Sequence, residues 1–152
     1  MIEVDGTTWR RVPQEGSIQT YLDILLSTPD LWQADADWVN RALRSGDGWQ
    51  FWVGTTTRRE VSVCVGFQHH ETYLAEPIVH QIGITNKSIE ECAPYVIAFM
   101  SRLGRVLGFR TWKATLHRLK GAPMAKHLDP VPKQELRRTE GVVQYRFSVG
   151  DG

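Results

Sequence analysis

Cysteine is scarce in this chain, and an excess of one sign of charge is missing. Two cysteines in 152 residues cannot build a disulfide framework. Both sit in apolar contexts, Cys64 in a strand-like run and Cys92 on a helical stripe, where a thiol behaves as a small buried hydrophobe. This usage suits a reducing compartment, so a cytoplasmic location is expected. Eighteen basic residues against seventeen acidic give a net charge of +1, which removes the overall electrostatic case for a nucleic-acid or membrane partner. The arginine pairs at 10 and 11, 58 and 59, and 137 and 138 lack interleaved aromatics and read as solvated surface. No apolar run approaches the length of a membrane span, and the opening MIEVDGTTWRRV has no apolar h-region, so no export signal is expected. Internal repeats, linkers and low-complexity tracts are absent too, and 1–152 reads as one domain.

What is present is apolar patterning, with 41% hydrophobic residues, enough to bury a core at this length. Thr7 to Val12 reads as a short strand anchored by Trp9 and stopped by Pro13. Ser17 is placed to cap a helix over Ile18 to Ser27, with Ile18, Tyr21, Leu22, Leu25 and Leu26 on one face. A second helix is predicted from Pro29, since proline is tolerated at a first helical position, to Arg44. A meander follows: Trp49 to Thr55, Glu60 to Gln68, and a third strand between Tyr73 and Ile84. Six tryptophans are many for this length; Trp49 and Phe51 share one strand face with Trp52 on the other, which offers an aromatic surface for a protein partner or for self-association.

The segment Glu76 to Leu116 carries the most information. Cys92, Tyr95, Val96, Phe99, Met100, Leu103, Val106 and Leu107 recur at three- and four-residue spacing, the mark of an amphipathic helix. Ser88 and Glu91 suit a capping box at its start, and Gly108 suits its end. Phe109 to His117 then alternates as a strand. A strand end is thus set beside a helix N-terminus, a favourable place for an anion. Gly121 to Leu128 reads as a short helix and Asp129 to Pro132 as loop. Gly141 to Val149 closes the chain as a strand, with Val143, Tyr145, Phe147 and Val149 on the buried side.

This order of elements, with HQIGITNKS before the long helix, FMSRLGRVLGF within it and RTWKATLHR after it, resembles the GNAT superfamily of N-acyltransferases. The resemblance implies an α+β fold, a mixed sheet of about six to seven strands flanked by helices and splayed between its fourth and fifth strands. It also implies acyl-coenzyme A in the gap, with its pyrophosphate on the N-terminus of the long helix. Residues at the loop, Ile84, Thr85, Asn86 and Lys87, would then supply the backbone donors. The family's loop signature is Arg or Gln, two residues, Gly, one residue, then Gly or Ala; here TNKSIEEC has no glycine and carries Glu90 and Glu91, which suit the helix dipole but oppose a pyrophosphate. The short helix that often holds a tyrosine as general acid has Ala125 at the matching position, between Met124 and Lys126.

Glu76 and His80 are the candidates for a general base, and His117 or His127 for a proton donor in place of the tyrosine. In an apolar run such as PIVHQIGI a lone histidine is more often a core or edge residue, and Glu76 beside Pro77 reads as solvated. His69, His70, Glu71 and His80 include good metal ligands, but neighbouring strand residues point to opposite faces, so no metal site is assigned. The glycine-free loop favours a non-catalytic structural or interaction component without cofactor, akin to small phage proteins of this fold that associate with the virion or its assembly. The alternative is a divergent N-acyltransferase using acetyl-coenzyme A.

Overall fold

The computed structural model describes residues 1–12, 17–27, 35–58, 61–70, 76–85, 89–117, 133–139 and 142–149. Along the chain these form β1 (Ile2–Val4), β2 (Thr7–Arg11), α1 (Ser17–Ser27), α2 (Ala36–Arg44), β3 (Trp49–Thr56), β4 (Ser62–Gln68), β5 (Ile78–Ile84), α3 (Ile89–Leu107), β6 (Thr111–His117), β7 (Lys133–Thr139) and β8 (Val142–Ser148). The strands make one sheet in the order β1-β2-β3-β4-β5-β6-β8-β7. Neighbours are antiparallel except β5 and β6, which run parallel because the α3 crossover returns the chain to the same sheet edge.

The fold is the expected mixed α+β sheet, with eight strands among the described residues rather than six to seven. Both extra strands are weak in isolation. β1 is three residues long and exists through its antiparallel register with β2. β7, KQELRRT, has no apolar alternation and is ordered by pairing with β8.

Each sheet face is closed by helix. On one side α3 lays Cys92, Val96, Phe99, Met100 and Leu103 over Trp52, Val63, Val65, Phe67 and Val79, and Trp9 stacks on Phe99 at 4.2 Å. The predicted stripe ends at Leu103: Val106 and Leu107 are 61% and 50% exposed, since the last turn runs past the apolar sheet face before Gly108, at φ 92°, ends the helix. On the other side α1 buries Tyr21, Leu22, Ile24 and Leu25 over Phe51, Val53 and Cys64. Ile24 takes the core position expected of Leu26, which is exposed.

The second helix starts later than Pro29. Asp35 is extended (φ −103°, ψ 173°) and its side chain accepts from the Trp38 amide, at 2.7 Å, so it is the N-cap and Ala36 the first helical residue. The stretch 28–34 lies outside the described residues, as do the capping Ser88, the short helix predicted over Gly121 to Leu128 and the loop at Asp129 to Pro132.

Candidate active site

Among the described residues, β5 and β6 pair only at Ile78↔Lys113 and Val79↔Ala114. β6 continues to His117 against β8, and β5 continues to Ile84 against β4. The two parallel strands therefore part company after Val79. From His80 to Gly83 the β5 edge on that side has no ladder neighbour in β6, which leaves extended backbone facing a fork.

The residue at the crotch is His80. In the β4–β5 register Phe67 faces Val79 while Gly66 faces Gln81, so β5 carries one extra residue, His80, as a bulge. A bulge breaks the two-residue alternation and re-aims a side chain. Two consecutive residues then share the α1/α2 face. Gln81 lies under α1, where Tyr21 donates from its phenol to Gln81 Oε1 at 2.6 Å; burial pushes the Tyr21 phenol well up, so it stays a donor. The Gln81 Nε2 is buried with no hydrogen-bond partner among the described residues. His80 stands at the exposed end of the same row, with its ring 5.0 Å from Trp49 and Nε2 3.0 Å from Gln68 Oε1. Partial burial against that indole lowers its pKa from the usual 6.5, so the ring is neutral at neutral pH. With Nε2–H donated to Gln68, the tautomer this contact favours, Nδ1 is the basic nitrogen.

Glu76 is not solvated. It is 8% exposed, at the closed end of the fork, and its carboxylate accepts from donors on two neighbouring strands. The Arg146 guanidinium of β8 approaches through Nη2 at 2.9 Å and Nε at 3.1 and 3.2 Å. From β6, Thr111 Oγ1 donates at 2.5 Å and Lys113 Nζ lies 3.3 Å away. Burial alone would raise the carboxyl, but these hydrogen bonds and the arginine charge hold it at about 2. A carboxylate so committed is a poor acceptor for a substrate proton. The adjacent Pro77 carbonyl accepts from the Lys113 amide at 2.8 Å, so Glu76 and Pro77 together pin β5 to β6 where the ladder is only two pairs long.

Beyond the fork, Cys92 Sγ donates to the Gly83 carbonyl at 3.3 Å, which ties the first turns of α3 to the end of β5. The expected placement of a helix N-terminus beside a strand end is present. Thr85 is not an open donor: its amide and hydroxyl both reach the Ser62 carbonyl, at 2.9 and 3.3 Å. Ile84 is buried in the core facing α3. Asn86, Lys87 and the proton-donor candidate His127 lie outside the described residues, and of His117 only the backbone, in β6, is described.

Among the described residues no three of His, Cys, Asp or Glu gather as a metal site. His69 packs edge-on against Phe109 on the α3 side at 5.4 Å, and His80 turns to the opposite face. Two features of the site escape a reading of the sequence: the bulge, which has no residue signature, and the Glu76–Arg146 pair, whose members are 70 positions apart.

No protein-family model matches the chain, and no curated protein is significantly similar in sequence. Solved structures are similar in fold. A putative GNAT-family acetyltransferase from Desulfovibrio desulfuricans superposes with a TM-score of 0.69 at 15% identity, covering 95% of this chain and 99% of that one. Apo FdhC, a nucleotide-linked sugar GNAT, gives 0.68 at 12% identity, covering 97% and 89%. The ribosomal-protein-S18-alanine N-acetyltransferase of Escherichia coli gives 0.61 at 10%, covering 96% of each chain. At these identities the likeness is one of fold: the chain has the GNAT fold.

Proposed function

We propose that this domain is a divergent acyl-coenzyme A-dependent N-acyltransferase with His80 as its general base. One observation carries the reading: the bulge that sets a neutral histidine where β5 and β6 separate. An extended acyl-pantetheine arm suits the β5 edge from His80 to Gly83, where backbone groups face the fork rather than another strand. Nδ1 of His80 would take a proton from the acceptor amine as its nitrogen attacks the thioester carbonyl. A C–N bond forms, the C–S bond breaks, and the departing thiolate takes up a proton. Fold neighbours described as acetyltransferases support this reading.

The segment TNKSIEEC favours a second reading. With no glycine and with Glu90 and Glu91 in the first turn, it suits a non-catalytic structural or interaction component, such as a virion or assembly protein, better than a pyrophosphate seat. Titration calorimetry with acetyl-coenzyme A separates the two. Saturable micromolar binding, with transfer to an amine that is abolished in His80→Ala, is the expected result. No heat at millimolar ligand would leave the second reading standing.

A further inference from the structure

We propose that the acceptor of this reaction is an amine carried on an aromatic body, held against Trp49. The proposal rests on the acyltransferase reading and adds the substrate class. On the α1/α2 face a row of rings leads from the core to the fork. Phe51 is fully buried. Trp49 lies parallel to it, at 5.6 Å and 3°. Trp38 of α2 meets Trp49 and Phe51 edge-on at 5.3 and 5.8 Å, and the His80 ring follows Trp49 at 5.0 Å. Coverage falls along the row: Trp38 and Trp49 are half-buried and His80 is exposed.

The Trp49 indole, kept partly in water beside a candidate base, is apolar area that a flat ligand would cover, by offset or edge-on contact of the same kind the row already makes. Register adds to this. Trp49 faces Gln68 across β3 and β4, and Gln68 holds the His80 imidazole. The indole surface and the basic nitrogen are thereby fixed relative to each other across three strands rather than on a loop. An aryl group lying on Trp49 would bring an amine one or two methylenes away to His80. Glu76, the carboxylate at the closed end of the fork, is already held by Arg146, Lys113 and Thr111, so it is not free to seat the cationic end of a polyamine.

The test compares phenethylamine, n-butylamine and spermidine as acceptors with acetyl-coenzyme A, reading thiol release, together with saturation-transfer NMR of phenethylamine on the protein. Phenethylamine should exceed butylamine in kcat/KM by about ten-fold, the size of one good ring contact. Trp49→Leu should bring that ratio close to one by raising the phenethylamine KM. Trp49→Phe, which keeps a ring, should retain most of it. Spermidine or butylamine matching phenethylamine, or an unchanged ratio in Trp49→Leu, would overturn the inference while leaving an acyltransferase. Absence of any acetyl-coenzyme A binding would remove the acyltransferase reading and this inference with it.

Discussion

Replacing Glu76 by glutamine removes the charge that joins the two halves of the sheet, and the size of the effect follows from the carboxylate's own titration. Folding moves it from its ordinary 4.5 to about 2. Each tenfold change in proton affinity corresponds to about 1.36 kcal/mol, so its donors contribute about 3 kcal/mol as an upper bound. The side chains of Lys113 and Arg146 keep 27% and 35% of their surface in water, and screening brings the expectation to about 2 kcal/mol. Because the folded value is depressed, this stability is fully present above about 4.5 and is lost as the pH falls towards 2. Urea unfolding at pH 7 should therefore show Glu76→Gln less stable by about 2 kcal/mol, equivalent to a lowering of Tm by about 4–8 °C. At pH 3 the gap should shrink to less than half, since the native carboxylate is by then losing its advantage. Parallel stability curves for the two proteins between pH 7 and pH 3 would refute the account. So would equal hydrogen exchange of the β5 and β6 amides in both, because the fork neck would not then depend on the ion pair.

Three further expectations test other parts of the structure. NMR titration of the ring protons should place the His80 midpoint below the ordinary 6.5; its protonation is disfavoured in the fold, so acid costs stability as the ring charges, and any transferase activity should rise with pH through that same midpoint. Gly66→Ala should lower stability by about 1–3 kcal/mol in a melting experiment, because a Cβ there would meet the Tyr21 hydroxyl at 2.6 Å and Phe51 at 3.0 Å, which also disturbs the Tyr21–Gln81 bond. Leu103→Asp places an unpaired charge in a site 2% exposed and should cost several kcal/mol; wild-type circular dichroism and melting in that variant would contradict the packing of α3.

The succession from β2 to β6, the final strand β8 and the buried stripe of α3 are legible in the sequence because their signals are local: the spacing of Cys92, Val96, Phe99, Met100 and Leu103 needs no partner to be seen. Alternation likewise showed that Trp49 and Phe51 oppose Trp52, and the clusters on the two sheet faces agree. β7 was not legible, since Lys133 to Thr139 has polar composition and is a strand only because β8 offers it a ladder. Nor was the true start of α2, where Asp35 competes with Pro29 as a plausible beginning and only backbone geometry decides.

For the site, sequence alone determined the candidates, an apolar strand containing His80, a nearby Glu76 and a glycine-free segment ahead of a helix. Tertiary structure decided their roles. The one-residue bulge that turns His80 and Gln81 to the same face is a matter of register between β4 and β5, and register depends on the whole sheet. The partner that converts Glu76 from a candidate base into a pin is Arg146, 70 residues later, brought beside it only when β8 pairs with β6. Local periodicity fixes which residues are buried, whereas charge pairing and strand register are long-range, and both come into being only when the sheet closes.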